Sequence, residues 1–276
     1  IISIMIFYQN KYKDFMMSLS SNKTLITGGC SFSAPDGQNE KQTWVEYVQQ
    51  KYDFDKFYHT GVGASGNEMI THRLLYSIES AIKNNLKNIS LVVMWSEHIR
   101  NDIFTNNQSL NMETDNGNIM YTNHIHNNVV DGNWVTNSGF IRPGCNPIGH
   151  NDYRLDNPKQ KEWLVDYYKN YYTEEYSLMN TLKNIILIQN TCKQNNIKCV
   201  MFVMRNIFEN VKSYPQIKHL YNLVDWDKFI FFKEKYGLYE YTAINDLEFW
   251  KDNYHPSFSA HKHFIDNYDK DIKNLL

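Results

Sequence analysis

Two hydrophobic regimes alternate along this chain. Short runs that are apolar at consecutive positions recur between longer stretches in which apolar residues fall three or four apart. The first run, Lys23 to Gly28 (KTLITG), is β-branched and ends in glycine, which predicts a buried strand feeding a tight turn. From Thr43 to Tyr52, Trp44, Val45, Tyr47 and Val48 recur at helical spacing behind Thr43, a residue suited to capping. Phe57-Tyr58-His59 predicts a second strand, so the chain opens as β-α-β. Gly61, Gly63 and Gly66 then make a loop before an amphipathic helix from about Glu68 to Lys83. Ile89 to Trp95 (ISLVVMW) is the clearest buried strand.

Between Asn101 and Pro158 the composition shifts to Asn, Gly, Asp and Pro, with only short strand-like pieces at Ile119 to Ile125 and Trp134-Val135. This predicts an insertion without a core of its own. A long helix is expected from about Lys159 to Asn195, then a strand from Lys198 to Met204, an apolar piece at Phe229 to Lys235 and a last helix after Pro256. Strands that are apolar throughout and alternate with helices predict an α/β fold whose parallel sheet is covered on both faces, with the ligand site at the strands' carboxyl ends. Residues 23–276 read as one domain carrying the insertion 101–158 as a lid or recognition segment. Residues 1–22 read as a non-native leader or an added strand, with Met16 or Met17 as an alternative start.

Composition narrows the function classes. With 276 residues, 42% of them apolar, the chain can bury one large core. The formal charge of −2, with Lys and Arg scattered, gives no field that would gather a phosphate backbone, so nucleic acid is not expected as a partner. Cys30, Cys145, Cys192 and Cys199 form no C-x-x-C pair, which speaks against a disulfide framework or structural zinc and for a reducing compartment. No apolar run reaches the roughly 18–20 residues that cross a bilayer. Ile1 to Phe7 lacks the basic flank of a signal peptide, so a soluble, cytoplasmic or otherwise intracellular protein with no membrane partner is expected.

A hydroxyl becomes a nucleophile when a base takes its proton and a third group holds that base. Two segments carry those residue types. In Gly28-Gly29-Cys30-Ser31-Phe32-Ser33 a serine leaves a strand through glycines, which sets Ser31 at the carboxyl edge of the sheet. In Asp252-Asn253-Tyr254-His255-Pro256, Asp252 and His255 stand three apart on a proline-stopped turn, where the carboxylate can orient the imidazole as general base. Cys30 lies nearer the strand and reads as a buried small residue. His124 and His126 lack an acidic or Cys partner at a telling spacing and read as a solvated hairpin. His261 and His263 read as decoration of the last helix, with His261 in reach of the site rim. Trp163, Tyr167, Tyr168, Tyr171 and Tyr172 read as a packing face of the long helix.

Gly29-Cys30-Ser31-Phe32-Ser33 resembles the first block of the SGNH/GDSL hydrolase family, and Asp252-Asn253-Tyr254-His255-Pro256 is similar to its last block, Asp-x-x-His-Pro. The loop His59 to Asn67 resembles the second block, whose glycine N–H faces the oxyanion. That residue is Gly63 here, or Ala64 in the neighbouring register. The matching pieces span residues 25 to 265, without the insertion. The third block departs: where the family has Gly-x-Asn-Asp, this chain has Trp95-Ser96-Glu97-His98-Ile99-Arg100, similar to a divergent branch with Trp-Ser. Ser96 is the best substitute for the asparagine, and losing one oxyanion donor costs about 10²–10³-fold in rate.

The resemblance implies a flavodoxin-like three-layer sandwich of SGNH-hydrolase type. It also implies a carboxylic ester hydrolase with a Ser31-His255-Asp252 triad, an oxyanion hole from Ser31, Gly63 and Ser96, and substrate contacts at Asn67, Trp95, Glu97 and Arg100. The substrate class it suggests is a small-molecule or glycan ester such as an O-acetyl group, and neither metal nor organic cofactor is needed. A catalytically weak glycan- or protein-binding module and an O-acyltransferase using the same triad are the alternative expectations.

Overall fold

A computed structural model describes residues 23–34, 42–63, 65–104, 134–137, 162, 166, 167, 169–251 and 254–276. The expected αβ alternation is present. Strand β1 (Thr24–Gly28) is followed by helix α1 (Trp44–Lys51), β2 (Lys56–His59), α2 (Asn67–Lys83) and β3 (Ile89–Trp95). Beyond the insertion come α3 (Glu174–Gln194), β6 (Lys198–Val203), α4 (Lys218–Leu223), α5 (Leu238–Ile244), α6 (Phe258–Asn267) and α7 (Asp269–Leu275). Four strands form one all-parallel sheet in the order β2-β1-β3-β6.

Both faces of this sheet are covered, because successive side chains of a strand point to opposite sides. Ile26, Leu91, Val93, Met201 and Val203 pack under α2 and α3. Leu25, Val92, Met94, Val200 and Phe202 pack on the other side with Trp44, Tyr241, Phe264 and Ile272. That two-sided burial is why β3 reads as seven consecutive apolar or small residues, all of them buried.

Local chemistry sets the helix starts. The Thr43 side chain accepts the N–H of Val45, and Glu46 accepts the N–H of Thr43 at 2.8 Å, a reciprocal cap that starts α1. Helix α2 has only Gly66 at its cap. Its first N–H groups are taken instead by Asp102, whose carboxylate accepts from Gly66 at 2.9 Å and Met69 at 2.8 Å. A Cβ at Gly66 would come within 2.6 Å of the Arg100 carbonyl, so glycine is what allows the Arg100–Asp102 segment this close. Burial pushes the Asp102 carboxyl up to about 7 against the pull of those two N–H groups.

Three expectations are corrected in detail. The helix expected from Lys159 does not run unbroken to Asn195: Thr173 is extended (φ −134°, ψ 145°) and its side chain caps a new helix at Glu174. Thr173 is followed by two glutamates, a helix start that the continuous aromatic pattern upstream hides. The insertion, whose strand-like piece at Trp134-Val135 is present as β5 (Trp134–Asn137), begins with a strand that the pattern does not predict, β4 (Asn101–Phe104), antiparallel to β5. Phe229 to Lys235 forms no full strand; Phe229 alone bridges to Met201, and the chain turns through positive φ at Lys233 and Glu234. The Ile119 to Ile125 piece, His124 and His126 lie outside the described residues, as do Trp163 and Tyr168 and the expected leader.

Candidate active site

The Ser31 segment leaves β1 through Gly29, where a Cβ would fall 2.1 Å from Ser33 Oγ and 3.0 Å from the Met94 carbonyl. Only glycine lets the chain turn back this tightly. The turn closes with the N–H groups of Ser33 and Ala34 both donating to the Cys30 carbonyl, at 2.8 and 2.9 Å. It is then pinned from α1: Trp44 Nε1 donates to Ser33 Oγ at 3.1 Å, and Thr43 Oγ1 lies 3.2 Å from the Ser33 carbonyl. Cys30 is fully buried with its thiol against Met204 Sδ, while Ser31 is partly exposed.

His255 arrives from the other end of the chain. A short antiparallel contact holds its loop: Phe249 bridges Pro256, Trp250 N–H donates to the His255 carbonyl at 2.8 Å, and Ser257 N–H donates to Glu248 at 3.0 Å. Ser257 then caps α6. With the loop so fixed, His255 Nε2 and Ser31 Oγ stand 2.8 Å apart, although 224 residues separate them. That is the reach a base needs to take a hydroxyl proton. Phe32 and Tyr254 wall the imidazole, with ring centroids 5.3 and 5.1 Å away, so the pair sits against low-dielectric surface. Asp252 lies outside the described residues.

The oxyanion side is arranged differently from expectation. Thr60 to Ser65 packs onto the nucleophile turn through Val62 N–H to the Gly29 carbonyl (3.1 Å) and Thr60 N–H to the Thr27 carbonyl (2.9 Å). Gly63 is partly exposed on this loop, and Ala64 lies outside the described residues. Ser96 is fully buried: its N–H goes to Asn67 Oδ1 at 2.9 Å and its hydroxyl faces Met204 Sδ. Asn67 is likewise committed. Its amide nitrogen donates to the Ser96 carbonyl and to Thr181 Oγ1, at 3.1 and 3.0 Å, so it ties the end of β3 to α2 and α3. Trp95 is sealed in the core with its indole N–H on Met201 Sδ. Of the four expected substrate contacts, Asn67 and Trp95 thus have their side chains occupied by the fold.

Glu97 and Arg100 stand beside the pair, with partners that sequence reasoning missed. Arg205, just after β6, donates to Glu97 Oε1 at 3.2 Å and lies over the rings of Tyr239 and Tyr254, at 3.8 and 4.8 Å. Burial disfavours the charge on Arg100, but Cys30, Tyr254 and Glu97 outweigh it and raise its pKa. Arg100 Nε reaches Glu97 Oε2 only at 4.0 Å, and among the described residues Arg100 Nε, Arg100 Nη1 and Arg205 Nε have no hydrogen-bond partner. A buried donor left so costs about 1–3 kcal/mol. The signal for Arg205 was available: it follows an apolar strand, as Arg100 follows β3, and therefore lies at the same sheet edge.

His261 sits below this site. It is buried, its Nδ1 accepts the Trp44 N–H at 3.0 Å, and desolvation with the nearby His255 lowers its pKa to about 3. The expected reach to the rim does not occur, because the ring is spent on positioning α1. A wide concavity of about 1070 Å³ opens at the opposite end of the sheet, beside Lys23, Asn88, Lys198 and Leu276. Ligand sites of open parallel sheets lie at the carboxyl ends, where Ser31 and His255 meet, so the fold favours that end over this concavity. Among the described residues no group of three or more His, Cys, Asp or Glu side chains is placed to hold a metal ion, and no helix is long and apolar enough to cross a membrane. No protein-family model matches the chain, and no curated protein matches it.

Proposed function

We propose that this protein is a serine esterase of the SGNH/GDSL type, built on that family's flavodoxin-like three-layer sandwich. The observation that carries the reading is the 2.8 Å approach of His255 Nε2 to Ser31 Oγ at the carboxyl end of the parallel sheet. In this reading His255 takes the hydroxyl proton as Ser31 Oγ attacks the acyl carbonyl. The N–H groups of Ser31 and Gly63 face the oxyanion, and the alcohol leaves with the proton from His255. Water then enters with His255 again as base, and hydrolysis of the acyl-serine releases the acid and frees Ser31. Asp252, by its place in the Asp-x-x-His-Pro segment, orients the imidazole. O-acyl groups on carbohydrates are the substrate class the resemblance suggests.

A fluorophosphonate probe tests the reading directly. Covalent labelling of the wild-type protein that disappears in Ser31→Ala and His255→Ala supports it, and a wild-type protein that takes no label overturns it. One observation favours a second reading, a binding module with little turnover: both the N–H and the hydroxyl of Ser96 are engaged within the fold, which leaves the oxyanion one donor short of the family's set. Labelling without turnover of any aryl ester is the outcome that selects it.

A further inference from the structure

Two guanidinium groups share one carboxylate beside the Ser31-His255 pair. Glu97 accepts a hydrogen bond from Arg205 and stands 4.0 Å from Arg100. Burial pushes Asp102, the other carboxyl group that the Arg100 charge reaches, up to about 7. Among the described residues the two arginines are therefore only partly neutralised near neutral pH. The cluster is tied to the His255 loop: Tyr254, the residue immediately before His255, hydrogen-bonds the Arg100 guanidinium. The Tyr254 ring in turn lies 4.8 Å from the Arg205 guanidinium and 5.1 Å from the His255 ring.

The two arginines are placed differently. The Arg100 side chain is 6% exposed and two of its nitrogens lack an acceptor. The Arg205 side chain is 24% exposed, has its guanidinium carbon 3.8 Å from the centre of the Tyr239 ring, and among the described residues also keeps a buried nitrogen without an acceptor. A planar guanidinium held against a ring is pre-organised to meet an oxyanion side by side, and a second, incompletely neutralised cation behind it in a low-dielectric wall strengthens that attraction.

We propose that Arg100, Glu97 and Arg205 form an anion-recognition element, with Arg205 making the contact and Arg100 supplying the excess charge, so that the ester taken by this site carries a carboxylate or phosphate. The placement rests on the esterase reading; the existence of an anion site does not. Binding is therefore measured apart from turnover. In Ser31→Ala, calorimetry with monomethyl succinate, methyl phosphate and dimethyl succinate is expected to show binding of a monoester anion and none of the neutral diester. Which anion binds separates carboxylate from phosphate. Adding Arg205→Gln is expected to weaken that binding about tenfold or more, and Arg205 is the position to change because Arg100→Gln buries an amide in the core.

In the active protein, 4-nitrophenyl hemisuccinate is expected to exceed 4-nitrophenyl butyrate in kcat/KM by about tenfold or more if carboxylate is the anion, with Arg205→Gln collapsing that ratio mainly through KM. Anion binding no tighter than that of dimethyl succinate, or binding that Arg205→Gln leaves unaltered, overturns the proposal while Ser31 labelling keeps the esterase reading alive. Anion binding in a protein whose Ser31 takes no probe has the opposite meaning: the site stands and the esterase reading falls.

Discussion

At the scale of single residues, the site separates groups that meet solvent from groups that hold them. Ser31 and His255 are both part-exposed, whereas His261, six residues on, is sealed and accepts a backbone N–H. A buried imidazole that must accept a hydrogen bond stays neutral, and the sign of its effect on stability follows. Unfolded, His261 binds a proton below about 6.5; folded, it resists protonation to about 3. Its contribution is complete above pH 6.5 and is lost progressively as pH falls toward 3. His261→Gln is therefore expected to be less stable than wild type at pH 7 but to lose less of its unfolding midpoint between pH 6.5 and pH 4, measured by thermal denaturation across that range. Equal slopes for the two proteins would remove His261 from the acid response. Asn67 shows the limit of reading residues singly: nothing in its immediate neighbours says that it stitches Ser96 to α2 and α3, whereas Arg205 follows an apolar strand and is placed at the sheet edge by that.

At the scale of elements, each end of a secondary structure does two jobs. Thr43 caps α1 and also touches the carbonyl of Ser33, so the start of the helix and the shape of the nucleophile turn are one object. Thr43→Ala is expected to cost about 1 kcal/mol in urea denaturation, the usual loss for such a cap, and to lower the rate of Ser31 labelling in the folded protein. A stability loss with labelling at the wild-type rate would show that the cap and the turn are independent. The element boundaries that pattern alone placed well are those with such chemistry at the edge: Ile89–Trp95 coincides with β3, and Thr43 stands at the cap of α1. The break at Thr173 and the lone Phe229 bridge were not legible. Apolar and aromatic spacing continued smoothly through both, and what breaks each element is an extended residue that caps a new helix, at Thr173, or a turn at positive φ, at Lys233 and Glu234.

At the scale of the whole molecule, the central sheet is loaded from both sides. Phe202 on β6 is fully buried and sits edge-on to Trp44 and Phe264, at 5.6 and 5.5 Å, so it joins β6, α1 and α6, the helix that follows the His255 loop. Phe202→Ala is expected to cost about 3–5 kcal/mol, read as a drop in denaturant midpoint at unchanged m. A loss below about 1 kcal/mol would mean that the cavity collapses and the two layers are less coupled than their contacts indicate.

What the chain determines by itself is local and periodic. Runs such as ISLVVMW can only be strands buried on both faces, the glycines at 28 and 29 can only lead into a tight turn, and strands alternating with helices force a parallel sheet with a carboxyl-end site. Those facts place Ser31 at the carboxyl edge before any coordinates are known, whereas His255 joins it in the sequence only through the resemblance of its Asp-x-x-His-Pro segment. Only the tertiary structure decides what that edge is made of: the 2.8 Å meeting of residues 224 apart, the sealing of Ser96, and the sharing of Glu97 by two arginines. Hydrogen bonds and charge pairs form between side chains that the sheet order brings together, and that order is set by packing across the core, to which spacing along the sequence is blind.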